Sequence, residues 1–350
     1  MRFKPSSPFA AAVFAPLLAI VASGDAAAQS DLRFPPDASE LAPGAQGVDP
    51  HTGERLAVQQ DGDSYSVTGM FHELHGEFLQ NAFRFSQDLR LSYRYQADTE
   101  LSGETGDFSW QQVAAVGRFA TPLDPDMVLI TGMQLGAREY DFEPETGLPD
   151  DELHEVAAAI GLGRFFSEDL YVEAVFRPGL YTDFSGTLTG DAWKFYADVL
   201  GTYRFDAGFF GHFGVAYDGT FDDMPVYPML GFGLMIGEEF RLDLLAPRYF
   251  EFSWLPDPAW ILKVGLAVDG NEFRVRSRSD DPGGRQAFDV RVQEVDLYLD
   301  GTYRLDDRIS IFGRVGSTLT GDYDWNYPGN RYDGSSDPTM FLEAGIGFDF

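Results

Sequence analysis

From about residue 87 to its end, the chain alternates apolar and polar residues with a period of two. Segment 89–96 places apolar or aromatic residues at odd positions and polar or basic residues at even ones, and similar segments lie near 170–177, 193–204, 295–300 and 309–315. Successive side chains of a β-strand point to opposite faces, so the pattern predicts strands with one apolar and one polar face. A soluble β-sandwich with its apolar faces inward shows the same alternation, and remains an alternative at this point.

The connections between these segments differ in length in an ordered way. Tight turns alternate with longer connections that are acidic or contain glycine. The tight turns are Ser167-Glu168, Asp206-Ala207, Gly237-Glu238 and Asp306-Asp307, and the long connections are 99–108, 142–151, 184–191, 219–225, 279–285 and 326–337. Bacterial outer-membrane barrels combine short periplasmic turns with longer extracellular loops, whereas Greek-key sandwiches mix the two.

These connections delimit fourteen predicted strands, and twelve remain an alternative if the short pair at 239–253 is irregular. No apolar run after residue 30 is long enough for a membrane-spanning helix, so any crossing of the membrane must be made by β-strands. Hydrocarbon offers no partner to an edge amide, which requires the sheet to close. The predicted fold is therefore all-β, a closed antiparallel transmembrane β-barrel. Its strands lie near 87–98, 109–119, 127–141, 152–165, 169–183, 192–205, 208–218, 226–236, 239–246, 248–253, 260–278, 286–304, 308–325 and 338–350.

The N-terminal residues have the pattern of an export signal. A basic start at Arg2 and Lys4, an apolar run from Phe9 to Ala22 and small residues at 26–28 predict a signal peptide over 1–28. Residues 29–62 are rich in Pro, Gly, Ala and Asp and are expected to form a flexible arm. We expect the barrel domain over 63–350, with 63–86 as either an extra strand or a plug.

Charge and cysteine content exclude several classes of function. The formal net charge is −31, which repels phosphate backbones and argues against a nucleic-acid partner. The chain has no cysteine, so it has no disulfide, no Cys-ligated metal and no thiol nucleophile. Its 52 aromatic residues (31 Phe, 16 Tyr and 5 Trp) favour a protein with rings at membrane interfaces.

The C-terminal strand carries a feature of its own. Its alternate residues share one face, and they resemble the C-terminal signal that the barrel-assembly machinery reads during folding; they are Leu342, Ala344, Ile346, Phe348 and Phe350. That resemblance implies the assembly machinery as a partner and the cell outer membrane as the location, with membrane lipid and lipopolysaccharide around the barrel.

The stretch from Pro228 to Val275 resembles a Gram-negative family of outer-membrane β-barrels known only as domain of unknown function 6268. The motifs that carry the resemblance are Pro228-Met229-Leu230-Gly231, Arg241 to Pro247, and Trp254-Leu255-Pro256 ahead of a long strand. The resemblance implies a fold and a location, because the family has no assigned activity.

The polar phase of the predicted strands indicates which residues line the lumen. They either pair across strands or line a water-filled passage. These residues are Arg90, Arg94, Arg118, Glu173, Arg177, Lys194, Asp198, Arg204, His212, Lys263, Asp296, Asp300, Arg304 and Arg314. Acidic residues concentrate in the predicted outer loops, which enriches cations at the mouth. The sequence thus favours a non-enzymatic barrel, structural or a passive pore with a cation preference.

An outer-membrane hydrolase acting on lipid or peptide is the enzymatic alternative. It needs a histidine beside a nucleophile or carboxylate, and His154 and His212 are the candidates. His72 and His75 are three residues apart, whereas the helical zinc motif needs four, and on a strand they face opposite sides. We therefore expect no catalytic residues, no metal site and no cofactor.

Overall fold

The computed structural model describes residues 67–83, 88–102, 106–143, 151–185, 188–219, 225–276, 287–327 and 330–349. The predicted signal peptide and arm lie outside these residues, as does the terminal Phe350. Within the described residues, no helix has the length and apolar character of a membrane-spanning segment.

Helix α1 (Val67–Phe83) precedes a fifteen-stranded antiparallel sheet. The strands are β1 (Asp88–Glu100), β2 (Asp107–Asp124), β3 (Met127–Phe142), β4 (Asp151–Ser167), β5 (Leu170–Thr182), β6 (Trp193–Asp206), β7 (Phe209–Tyr217), β8 (Val226–Ile236), β9 (Phe240–Ala246), β10 (Tyr249–Asp257), β11 (Trp260–Arg276), β12 (Ala287–Arg304), β13 (Ile309–Tyr327), β14 (Asn330–Ser336) and β15 (Thr339–Asp349).

The sheet closes on itself through its last strand. β15 pairs with β13 on one edge and with β1 on the other, where Leu89 lies opposite Phe348. β14 pairs with β13 within the last loop and, in the described chain, is linked to the rest of the barrel by one bridge between Leu101 and Ser336. Fourteen strands therefore form the closed ring, which confirms the predicted barrel.

The two alternative folds are wrong. A sandwich would have two open sheets, whereas each strand of the ring has a partner on both edges. The twelve-strand alternative fails because β9 and β10 pair regularly with each other and with β8 and β11.

The alternation predicted from the sequence separates an apolar outer face from a mixed inner face. Large outward side chains are exposed, with Ile160 at 56% and Leu342 at 61%. Inward residues on the same strands are buried, such as Glu155 on β4 and Phe341 on β15. An apolar outer face is what a barrel presents to lipid.

The barrel wall is uneven in height. β9 has 7 residues and β7 and β10 have 9 each, whereas β12 has 18 and β13 has 19. A membrane-crossing strand needs about 9–11 residues, so β9 is short for a full crossing. Most tight turns gather at one end of the barrel, here called the turn end, and the long connections lie at the other, the loop end. The short turn between β9 and β10 is the exception and lies on the loop-end side.

β11 changes its partner as it rises above the short strands. It pairs with β10 as far as Ala267, opposite Tyr249, and then meets β5 at Arg274, opposite Thr182. Toward the loop end the ring is thus completed by contact between β5 and β11, which leaves out β6 to β10. Nine strands form this narrower ring, namely β1 to β5, β11 to β13 and β15.

Candidate functional site

Helix α1 fills the lumen at the turn end. Its apolar residues recur at helical spacing, and those that are buried join one cluster with inward side chains of the wall. The helix contributes Phe71, Phe78, Leu79 and Ala82, and the wall contributes Ala120, Val128, Ile130, Phe165, Tyr171, Val175 and Phe210. The structure therefore shows a plug, one of the two alternatives left open for residues 63–86.

Polar contacts hold the plug at its middle and near its C-terminal end. His75 Nε2 lies 3.0 Å from Asp126 Oδ1 in the turn after β2, and its ring stacks on Phe165 at 3.7 Å between centroids. Arg241 donates from Nη2 to the carbonyl oxygen of Ala82 at 2.9 Å. These contacts complement the apolar packing and fix the position of the helix.

The helix corrects one argument made from the sequence. On a helix, residues three apart lie on neighbouring faces, so the expectation that His72 and His75 face opposite sides of a strand is wrong. Among the residues the structure describes, no group of three His, Asp or Glu side chains is placed to hold a metal ion.

Aromatic side chains fill the lumen at the loop end. Trp110 and Tyr140 are buried to 1% and 0% exposure, and Trp325 packs edge-on against Tyr140 at 5.1 Å. A barrel of about eight strands is just wide enough for its own side chains to fill, and the nine-stranded ring approaches that size. We call this set the upper cluster; it contains Leu101, Phe108, Trp110, Tyr140, Phe142, Leu153, Ala157, Tyr181, Tyr196, Phe273, Val275, Phe288, Val290, Val292, Tyr323 and Trp325.

A polar cavity of about 380 Å³ lies next to the upper cluster, whose Ala157, Tyr181 and Tyr196 are part of its lining, and we call it the chamber. Arg94, Arg177, Arg248 and Arg314 line it, together with carboxylates and tyrosines. Its volume falls in the range of small-molecule sites, about 300–1,000 Å³.

Three of the four chamber arginines are ion-paired. Arg94 Nη1 lies 2.7 Å from Asp296 Oδ2, and Arg177 donates to Asp198. Arg314 lies 3.3 Å from Asp300 and 3.6 Å from Glu343. Each of these pairs joins neighbouring or nearby strands, so the lumen charges also cross-link the wall.

The other residues predicted to line the lumen occupy several levels of the barrel. Lys194 pairs with Glu272 at 2.7 Å under the loop end, and Lys263 with Glu251 at 3.3 Å beside the chamber. Near the turn end, Arg118 reaches Glu173 at 2.8 Å and Arg204 reaches Asp169 at 2.9 Å. Arg90 is exposed and pairs with Asp88 at 2.8 Å, and Arg304 is exposed at the end of β12.

Sequence reasoning missed part of the inner network. Arg138 and Glu294 are 6% and 1% exposed and lie 3.5 Å apart, and Tyr323 donates to Glu294 at 2.8 Å. The Arg138 guanidinium also lies 4.1 Å above the Trp110 ring. Arg138 and Tyr140 lie two residues apart on the same face of β3. The alternation of β3 therefore contained the information that both side chains face the lumen.

Glycines leave space for inward-facing tyrosine rings on the neighbouring strand. A Cβ on Gly163 of β4 would overlap the phenol of Tyr171 on β5, and one on Gly265 of β11 would overlap that of Tyr298 on β12. Both tyrosines donate to carboxylates, Tyr171 to Glu173 at 3.2 Å and Tyr298 to Glu251 at 2.5 Å.

The two candidate histidines, His154 and His212, are both buried. His212 Nδ1 lies 2.9 Å from Thr202 Oγ1, and Thr202 has 0% exposure, so a substrate has no access to that hydroxyl. His154 is 4% exposed and lies 3.7 Å from Glu152. Neither arrangement presents a reachable nucleophile of the kind a barrel hydrolase needs.

A closed antiparallel barrel with an apolar outer face and a charged, ion-paired lumen defines the class: a β-barrel of the outer-membrane, porin-like type. The chain matched none of the family models and none of the curated proteins with which it was compared.

Solved structures similar in fold are outer-membrane barrels. An outer membrane channel from Pseudomonas putida F1 has a TM-score of 0.44 at 9% identity, over 77% of this chain and 97% of that chain. A FadL homologue from Pseudomonas aeruginosa has a TM-score of 0.44 at 8% identity, over 75% of this chain and 90% of that one. The KdgM porin, in complex with disordered oligogalacturonate, has a TM-score of 0.31 at 8% identity, over 75% and 99%.

Proposed function

We propose that this chain is a non-enzymatic channel protein of the Gram-negative outer membrane. The observation that carries the proposal is the chamber, a polar cavity in the barrel lumen that is lined by charged side chains and lies next to the upper cluster. A barrel with a purely structural role gains nothing from a cavity lined by charges, because a filled core is more stable. Solute held in the chamber passes when the helix or the upper cluster moves.

The location follows from the outer face. Exposed apolar side chains such as Leu230 and Leu299 suit membrane lipid, and the predicted export signal and C-terminal assembly signal agree with an outer-membrane destination. Lipopolysaccharide and the barrel-assembly machinery are partners in this proposal. Membership of the family known as domain of unknown function 6268 stays a prediction.

The channel function is tested by recording from purified protein in planar bilayers. We expect small or infrequent openings from the natural chain and larger ones from a variant with Phe71→Ala and Phe78→Ala, which loosens the plug. Leu74→Ala is the matched control, because Leu74 is on the same helix but 54% exposed. A heat-modifiable gel shift verifies that each variant is folded. If neither the natural chain nor the loosened variant conducts, the proposal is wrong.

A preference for cations is the finer part of the proposal. The net charge of −31 and acidic residues at the loop end, such as Glu143, Asp322, Asp333 and Asp337, support it through the potential at the mouth. The ion-paired lumen contributes little net charge to this selectivity. Reversal potentials in a salt gradient should favour the cation, and replacing these four residues by their amides should reduce that preference. A preference for anions in the natural chain would contradict it.

A further inference from the structure

Arg248 differs from the other arginines of the chamber. It lies in the turn between β9 and β10, and its Nε donates to Tyr227 Oη at 3.2 Å. Asp198 and Asp218 act on its charge from a distance, but no described carboxylate lies within ion-pair distance of its guanidinium. Arg94, Arg177 and Arg314 each have such a partner.

Asp269 on β11 presents the opposite charge next to Arg248. The amide of Val268 donates to the carbonyl oxygen of Arg248 at 2.8 Å, and Asp269 is the next residue of β11 after this backbone contact. Its Oδ1 accepts from the amide of Gly270 at 2.8 Å, and it forms no ion pair with a described cation. Both side chains line the chamber, and they do not pair with each other.

Arg248 is half-buried, and a charge left unpaired in such a place is costly unless water or a ligand supplies the opposite charge. Asp269 is exposed, so its carboxylate is accessible to a solute in the chamber. Among the other chamber carboxylates, Glu251 is held by Lys263 and Tyr298, and Asp296 by Arg94. Asp218 also lines the chamber and acts on Arg248 from a distance. Arg248 and Asp269 therefore offer one cationic and one anionic contact on a single wall of the chamber.

We propose that the chamber is a binding site for a small zwitterionic solute of the amino-acid type. Its carboxylate binds Arg248, its ammonium group binds Asp269, and its body packs against tyrosines such as Tyr181 and Tyr249, which line the same cavity. Charge-assisted hydrogen bonds are the strong ones, so each charged contact contributes to selectivity.

Three probes with one phenyl body separate the two contacts. L-Phenylalanine carries both charges, 3-phenylpropionate carries only the carboxylate, and 2-phenylethylammonium carries only the ammonium group. Isothermal titration of the full detergent-solubilised chain should show L-phenylalanine binding at least about tenfold more tightly than either analogue.

The variants assign each contact. Arg248→Gln should weaken L-phenylalanine and 3-phenylpropionate at least about tenfold and leave 2-phenylethylammonium unchanged, and Asp269→Asn should do the reverse. Arg248→Lys should restore part of the carboxylate affinity. Arg164→Gln is the control, because Arg164 is exposed on the outer face beside Phe166.

Equal affinities for the three probes, no binding at all, or equal effects of both variants on all probes would overturn the assignment. The inference rests on the proposed function only in taking the chamber as part of the solute path. Binding in detergent is independent of conductance, so a chain that binds but does not conduct contradicts the channel alone, and one that conducts but does not bind contradicts this site alone.

Discussion

Arg94 on β1 and Asp296 on β12 form an ion pair of 2.7 Å across two intervening strands, β13 and β15. Both side chains are buried, and the guanidinium also lies 3.9 Å from the centroid of the Phe341 ring. The pair thus links β12 to β1 inside the lumen, next to the place where β15 closes the ring.

Asp296→Ala should destabilise the barrel strongly, because it leaves the Arg94 charge buried without its partner. Breaking a buried pair costs about 3–5 kcal/mol, whereas an exposed pair is worth about 0–1 kcal/mol. Urea unfolding followed by gel mobility measures the difference. Asp88→Ala, which breaks the more exposed pair with Arg90, is the control. Similar losses from the two substitutions would contradict the structural role of the Arg94–Asp296 pair.

The free-energy cost of a positive charge on the outer face should depend on its height along the barrel axis. Ile160 and Leu305 are both 56% exposed, but Ile160 lies in the middle of β4 and Leu305 in the turn after β12. Ile160→Arg should cost about 2–4 kcal/mol in lipid, and Leu305→Arg about 0–1 kcal/mol. Folding titrations in phospholipid vesicles test this, and equal costs would argue that the apolar face does not meet hydrocarbon.

The closed barrel could be predicted from the sequence because its causes are local. A period of two sets the face of each residue, as in β6, where Lys194 and Asp198 take one phase and Phe195 and Val199 the other. Alternating turn lengths then set the number and order of the strands. The fourteen-strand ring follows from these two observations and the need for closure.

The change of partner along β11 could not be predicted in this way. The apolar positions of β11 are even up to Val268 and odd from Phe273, on either side of the polar run 269–272, and the partner changes over this stretch from β10 to β5. The sequence therefore marks a break in β11 but does not identify the new partner. That change depends on the difference in length between β9 and β12, which acts only once the sheet has curved. The ion pairs depend on the same register, so the sequence did not indicate that Arg248 lines the chamber with no described carboxylate at ion-pair distance.

Helix α1 was identifiable in part. Phe71, Phe78 and Ala82 recur at steps of seven and four residues, which is a helical period. From the sequence alone, residues 63–86, which include Tyr65, Val67 and Met70, could be either an extra strand or a plug. The contact between His75 and Asp126 is separated by 51 residues and has no local signal.

Asp126→Ala should loosen the plug at its middle, where His75 lies. The substitution removes the partner of His75 while the apolar cluster remains, so the helix should stay docked but open more often. Amide hydrogen exchange over residues 67–83 should become faster, while exchange in β12 and β13 stays unchanged. Glu238→Ala, in the exposed turn after β8, is the matched control. Unchanged exchange in α1 would mean that apolar packing alone sets the stability of the docked helix.

Acid should weaken the docking of the same helix through His72. Burial in the docked helix lowers the pKa of His72 below its ordinary 6.5. The released helix then binds more protons than the docked one as pH falls through about 6.5, so docking loses stability over that range and levels off below the lowered pKa. His72→Gln removes this dependence and leaves His75 in place. The free energy of unfolding of the natural chain, relative to His72→Gln, should therefore be smaller at about pH 5 than at about pH 8. A difference between the two chains that does not change with pH, or that grows in favour of the natural chain in acid, would contradict the assignment.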